Sequence, residues 1–180
     1  IVGLGRIGKA VAERAVKGFK MNVIAVGDHP ERRSSQATGV EGSRYEMVTL
    51  EKLLQQADFI TLNVPLSPAT HHMISTKQFA LMKKTAFLIN TARGPVVDEK
   101  ALLRALKTKR IAGAALDVYE CEPHIDCDIT DHLELKAFPN VILTPHIASA
   151  TVEARVAIAR CAAANIIAVL NGKPTLNPAA

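Results

Sequence analysis

The sequence predicts a doubly wound, mostly parallel α/β fold, and three observations carry that prediction. Short apolar runs of strand length alternate with amphipathic helical stretches along the whole chain. Most of the runs stop at a turn or a polar residue, and the chain opens on a glycine-rich turn between a strand and a helix. No internal repeat or low-complexity tract interrupts this strand–helix rhythm, which is the pattern of a parallel sheet with helical crossovers.

Ile1-Val2 enters Gly3-Leu4-Gly5-Arg6-Ile7-Gly8 as a buried strand running into a helix. In such a G-x-G-x-x-G turn Gly3 allows the tight bend, Gly5 lets a pyrophosphate approach the backbone and Gly8 lets the helix sit close to the strand. The helix N-terminus adds free N–H groups and partial positive charge. The pattern alone is common in ordinary turns, so it needs a strand before, a helix after and an acidic residue about 20 positions on. Lys9 to Lys17 supplies the helix, with Ala10, Val11 and Ala15 on one apolar face and Gly18 as its terminating glycine. Met21 to Val26 reads as a strand ending at Gly27-Asp28, and Asp28 stands 20 residues (28 − 8) after Gly8, the ribose-binding distance.

His29 to Ser35 is polar and aperiodic and reads as a loop, and Tyr45 to Val48 reads as a third strand. Leu50 to Ala57 is an amphipathic helix; Asp58 to Val64 is a strand with apolar residues on both faces, as in a covered parallel sheet, stopped by Pro65-Leu66-Ser67-Pro68. Ser75 to Met82 is a helix, Ala86 to Thr91 a strand, Asp98 to Thr108 a helix and Ala112 to Leu116 a strand. Cys121 to Phe138 is an irregular acidic connection, Asn140 to Thr144 the last strand, and Thr151 to Leu170 a long Ala-rich helix.

At 180 residues, 48% hydrophobic and 22% charged, the chain has the composition of a soluble globular domain. No apolar run approaches the roughly 20 residues of a membrane span, and no signal-peptide pattern is present, so a cytoplasmic location is expected. Cys121, Cys127 and Cys161 form no C-x-x-C pair and leave an odd count, so free thiols are expected, and no metal site. The net charge of +5 does not point to nucleic acid, because the basic residues come at most in pairs, such as Arg32-Arg33 and Lys83-Lys84, and aromatics make up only 4%. It suits an anionic cofactor and substrate instead.

Polar residues stand just past predicted strand ends: Arg93 after Ile89-Asn90-Thr91, Asp117 and Glu122 after Leu116, and His146 after Leu143-Thr144-Pro145. In a doubly wound sheet these ends share the edge that carries the glycine turn. Singly, Arg93 reads equally as a surface turn arginine, Glu122 as a solvated loop carboxylate and His146 as a core histidine. Together they are what reduction of a 2-keto acid beside a nicotinamide needs: a bidentate cation for the carboxylate, a proton donor for the carbonyl oxygen and an anion to keep that donor charged.

Asn90-Thr91-Ala92-Arg93-Gly94-Pro95-Val96-Val97-Asp98-Glu99, Leu116-Asp117-Val118-Tyr119-Glu120-Cys121-Glu122-Pro123 and Thr144-Pro145-His146-Ile147-Ala148-Ser149-Ala150-Thr151 closely resemble the signatures of the D-isomer-specific 2-hydroxyacid dehydrogenases. With the glycine turn, the resemblance spans essentially the whole chain. It implies a Rossmann-type dinucleotide-binding domain and a catalytic triad of Arg93, Glu122 and His146. Cofactor contacts carry over to Gly3, Gly5, Arg6, Ile7, Gly8, Asp28, Val64, Pro65, Thr70, Thr91, Ala92, Arg93, Asp117, His146 and Ala148, with Asp117 at the nicotinamide amide. A glutamate at position 122 separates the chain from the formate dehydrogenases of the superfamily, which carry glutamine there.

Ser149-Ala150-Thr151 is similar to the glyoxylate/hydroxypyruvate and 2-ketogluconate reductases, and the phosphoglycerate dehydrogenases usually differ at this point. A phosphoglycerate dehydrogenase-like enzyme and a dimeric NAD(H)-sensing corepressor scaffold are the alternatives. Ala148 stands where most relatives have glycine, and the connection from Glu122 to His146 carries an unusual Cys- and Asp-bearing run. Asp28 would repel a 2′-phosphate and accept from ribose hydroxyls, which favours NAD(H), whereas Arg32 and Arg33 keep NADP(H) open. The resemblance further implies a homodimer to which the 151–170 helix contributes, and a substrate-binding domain to which nothing in residues 1–180 corresponds, with 172–180 as the start of its return segment. The isolated fragment is therefore expected to be inactive.

Overall fold

The computed structural model describes residues 1–27, 37–39, 43–122 and 134–177. They form two compact units, Ile1–Pro145 and His146–Ala180. In the first, α1 (Arg6–Phe19) leads to β1 (Ile24–Ala25), β2 (Ala37–Gly39) and β3 (Ser43–Met47). Then come α2 (Leu50–Gln56), β4 (Phe59–Leu62), α3 (Thr76–Leu81), β5 (Phe87–Asn90), α4 (Glu99–Lys107), β6 (Gly113–Leu116) and β7 (Val141–Leu143). The second unit holds α5 (Val152–Leu170). The fold class is the α/β expected, and the predicted elements recur within one to three residues at most ends.

Strands β4-β5-β6-β7 form one parallel sheet, and β1-β3-β2 a second in which β1 and β3 run parallel. Val2 joins them, bridging in parallel to Val26 on one side and to Leu62 on the other. The order across the unit is thus β2-β3-β1-Val2-β4-β5-β6-β7. β2 pairs antiparallel with β3 and was not anticipated, because Ala37-Thr38-Gly39 has neither an apolar period nor strand-forming bulk.

One sheet face is well covered. Ile60, Leu62, Leu88 and Leu116 are at most 3% exposed and join Leu53 and Leu54 of α2, Phe79 of α3 and Leu102 and Leu106 of α4 in one core. Each fully buried side chain of this size contributes about 1.5–3 kcal/mol. The other face departs from expectation: Phe59, Phe87 and Ile142 are exposed, the two rings stacked with centroids 5.7 Å apart. A cleft of about 910 Å³ lies on it, with Phe19, Met21, Phe59, Thr61 and Ile89 in its lining.

Two details of α1 differ from the sequence reading. Its buried residues are Gly8 and Ala12, with Ala10, Val11 and Ala15 only half-buried. Its left-handed capping residue is Lys20 at φ 54°, two positions after Gly18, and the Lys20 and Met21 N–H groups donate to the Val16 and Ala15 carbonyls at 3.1 and 3.0 Å. The cysteines differ too: Cys121 is disulfide-bonded, while Cys161 is a free, exposed thiol and Cys127 lies outside the described residues. Among the described residues no helix is long and apolar enough to cross a membrane.

The glycine turn is set by sterics. Gly3 holds φ +91°, and a Cβ on Gly8 would meet the Gly3 carbonyl oxygen at 2.0 Å. Neither partner is a flexible side chain, so α1 docks on its strand only if position 8 has no side chain. Gly8→Ala is expected to destabilise the protein by about 3 kcal/mol or to prevent folding, whereas Gly5→Ala, whose Cβ meets nothing within 4 Å, stays within about 1 kcal/mol of the parent in urea denaturation.

Candidate active site

In a parallel sheet the carboxyl ends of all strands lie on one edge. Val2, β4, β5 and β6 therefore deliver the glycine turn, the Val64-Pro65 loop, the Thr91–Gly94 segment and Asp117 to the same edge of the first unit. Arg6 and Ile7 are the first helical residues of α1, and the first intrahelical bond is Lys9 N–H to Gly5 C=O, 3.0 Å. By helix geometry the N–H groups before Lys9 lack intrahelical partners. The N-cap residue, Gly5, has no side chain to cap them, no acidic residue stands in the first turn, and the space a Gly5 side chain would fill is open. These are the features that admit a pyrophosphate. Asp28 lies outside the described residues.

Thr70 closes the loop after β4: its hydroxyl donates to the Pro65 carbonyl at 2.6 Å and accepts from the Ser67 N–H at 2.8 Å. Asn90, 1% exposed, organises the next loop. Its amide donates to the Arg93 carbonyl at 2.9 Å and its oxygen accepts from the Ala92 N–H at 3.0 Å, so one side chain holds both ends of the turn that presents Arg93. The Arg93 side chain is exposed and its Nη1 donates to the Ala92 carbonyl at 2.6 Å. A 3-10 turn, Gly94–Val96, continues the segment.

The loop after β6 packs directly on this one. The Asp117 N–H donates to the Asn90 carbonyl at 3.0 Å, and a Cβ on Gly94 would stand 1.7 Å from the Tyr119 carbonyl oxygen. Asp117 is buried and accepts from the Thr144 hydroxyl, while the Tyr119 hydroxyl donates to the Thr144 carbonyl at 2.8 Å. Burial, and then the negative charges of Asp117, Glu122 and Glu99, push the Tyr119 hydroxyl above its ordinary pKa. That shift registers a concentration of carboxylates at this edge. Glu122 is half-buried at the end of the loop.

His146 follows β7 by three residues (146 − 143) in the chain and opens the second unit. It is exposed and holds a left-handed backbone, φ 54°. Among the described residues four non-glycine residues have positive φ: Lys20 caps a helix, Lys109 directly follows the capping residue of α4, and His72 and His146 stand outside the helix ends described above. Such strain persists only where the surroundings over-determine it. Ile147 and Ala148 follow, the Ile147 carbonyl accepting from the Ala150 N–H at 2.9 Å.

With this geometry in hand, residues 1–148 match the family model described as "D-isomer specific 2-hydroxyacid dehydrogenase, NAD binding domain". The chain belongs to that family. It is 49% identical over 173 residues to a Staphylococcus haemolyticus protein provisionally named a 2-hydroxyacid dehydrogenase, covering 96% of this chain and 51% of the relative. Among solved structures it resembles D-lactate dehydrogenase with NAD+ from Lactobacillus jensenii, at 34% identity and TM-score 0.82, covering 99% of this chain and 54% of that one. D-mandelate dehydrogenase from Rhodotorula graminis is similar at 37% identity and TM-score 0.85, covering 99% and 49%. The chain thus spans about half the length of the relatives it matches. NAD(H) is the cofactor of this domain.

Sequence reasoning did not single out Asn90, Thr144, Glu99 or Glu120. Asn90 left a signal, an amide ending the apolar run Phe87-Leu88-Ile89, but the other three are ordinary loop or helix-end polar residues until the fold brings them together. Asn90→Ala leaves the Ala92 N–H and Arg93 C=O without their side-chain partner, at a cost of about 2 kcal/mol in chemical denaturation, and Asn90→Asp, which keeps the acceptor, costs less.

Proposed function

We propose that this chain is the dinucleotide-binding half of an oxidoreductase that interconverts a small 2-keto acid and its D-2-hydroxy acid. The observation that carries this reading is the packing of the Arg93 loop against the loop of Asp117 and Glu122, on the strand edge that also presents the open glycine turn. NAD(H), when bound, supplies or accepts the hydride. Gly5 and the N–H groups of Arg6, Ile7 and Gly8 would hold its pyrophosphate and Asp28 its ribose, and the family resemblance gives further cofactor contacts to Val64, Pro65, Thr70, Thr91, Ala92, Asp117, His146 and Ala148. Arg93 grips the substrate carboxylate with paired, charge-assisted hydrogen bonds. His146 gives or takes the proton at the C2 oxygen, and Glu122 pairs with His146 to keep it charged.

The order Ser149-Ala150-Thr151 supports a glyoxylate or hydroxypyruvate type of substrate, and the D-lactate and D-mandelate dehydrogenases among the structural neighbours keep larger 2-keto acids in the comparison. Substrate positioning and exclusion of water fall to a second domain, so the isolated chain binds NADH without turnover. A cytoplasmic location, where NAD(H) is held in quantity, completes the reading. The full-length protein is expected to oxidise NADH with at least one of glyoxylate, hydroxypyruvate, pyruvate or 2-ketogluconate, and His146→Ala to lower kcat/KM by about 10²–10⁴-fold. Tight NADH binding with no turnover of any of these acids would favour an NAD(H)-sensing scaffold instead.

A homodimer through α5 belongs to the same proposal. Its Val152, Ile158, Ile166, Ile167, Val169 and Leu170 are all more than half exposed, and apolar side chains concentrated on one exposed element suit a protein–protein contact. Ile166 and Val169 share one helix face, and the double variant Ile166→Lys/Val169→Lys should shift the protein from dimer to monomer in light scattering.

A further inference from the structure

The loop between β6 and Glu122 has a second glutamate, to which the proposed chemistry gives no task. Glu120 Oε1 lies 2.6 Å from His72 Nε2, and Glu120 Oε2 accepts from the Glu99 N–H at 3.1 Å. Glu99, 3% exposed, returns the bond: its Oε1 accepts from the Glu120 N–H at 2.5 Å. Glu99 is the first residue of α4, so the Glu120 carboxylate accepts from a first-turn helix N–H at the end where the helix dipole favours an anion. His72 is braced in turn. It holds the left-handed φ of 48°, and its N–H donates to the Pro95 carbonyl at 2.8 Å.

Building on the reading above, we infer that Glu120 is a positioning residue, whose carboxylate clasps the Glu122 loop to the segment that carries Arg93 through Glu99 and His72. Three contacts run outward along the two loops. Asp117 N–H on the Asn90 carbonyl fixes their base, Gly94 against the Tyr119 carbonyl fixes the middle, and the reciprocal Glu99–Glu120 pair fixes the tip, two residues (122 − 120) before Glu122. The first two contacts are made by backbone and survive most substitutions. The third depends on side chains, so the setting of Glu122 relative to Arg93 rests on Glu120. A carboxylate suits the post because it accepts from two donors on different elements at once, the helix N–H and the imidazole N–H.

The test compares Glu120→Ala, Glu120→Gln and Glu122→Gln in the full-length protein. Glu120→Ala is expected to lower kcat about tenfold, as loss of an outer-shell partner typically does, with the NADH Kd within twofold of the parent. Its alkaline limb of kcat/KM for reduction should move to lower pH, in the same direction as in Glu122→Gln, because the proton donor is less well supported by its carboxylate. Glu120→Gln keeps an acceptor for the Glu99 N–H and should recover most of the rate. An unchanged kcat in Glu120→Ala, or a lowered kcat with an unmoved pH limb, overturns the proposal. Amide hydrogen exchange separates this outcome from failure of the enzymatic reading. If the parent turns over no 2-keto acid, faster exchange in Glu120→Ala confined to Glu99 and residues 118–122 still establishes the clasp, and unchanged exchange there refutes it.

Discussion

The first unit depends on the hydrogen bonds made around Val2. The Val2 N–H donates to Thr61 and the Asn63 N–H to Val2, at 2.9 and 2.7 Å; the Gly3 N–H donates to Val26 and the Val26 N–H to Ile1, at 2.8 and 2.9 Å. Val2 is fully buried, and this one short segment turns two separate groups of strands into a single array, parallel except for β2. It also fixes where the chain must turn. Gly3 comes directly after it with a Cβ position only 2.6 Å from the Asn63 carbonyl oxygen, so the neighbouring strand forbids a side chain at the start of the turn. The cradle for an anionic cofactor is thus a consequence of sheet packing.

A parallel sheet then does the work of assembly. Crossover connections return β4, β5, β6 and β7 in the same direction, and residues far apart in the sequence arrive at one edge. What the sheet cannot do is set their distances to within a few tenths of an ångström. That falls to loop contacts: Asn90 across the Arg93 turn, Gly94 under the Tyr119 carbonyl, Thr144 on Asp117 and Glu120 on α4. The Asn90, Thr144 and Glu120 contacts satisfy buried or half-buried polar groups and are costly to leave unmade, and the Gly94 contact is a steric fit that only a bare Cα allows.

Much of the fold was readable from residue pattern. Leu50 to Gln56 and Glu99 to Lys107 carry apolar residues at helical spacing, and the runs ending at Leu62, Asn90 and Leu116 have strand length and polar stops. The pattern failed where geometry decides alone. Ala37-Thr38-Gly39 pairs with β3 through backbone bonds that its small side chains do not advertise, and α1 ends at Lys20 because the Ala15 and Val16 carbonyls find donors there, although glycine stands two residues earlier. Phe59 belongs to a strand read as covered on both faces, and it is exposed beside Phe87 on the uncovered sheet face.

The sequence by itself determined the family, the α/β class and the glycine turn, and it singled out Arg93, Asp117, Glu122 and His146 as candidates, because residue type and spacing along one chain suffice for these. Only the tertiary structure decided that Asn90 holds the Arg93 turn, that Gly94 must be bare beneath Tyr119 and that Glu99, Glu120 and His72 meet. His72 and Glu120 are separated by 48 residues, and hydrogen bonds depend on distance and angle in space, which no period in a sequence records.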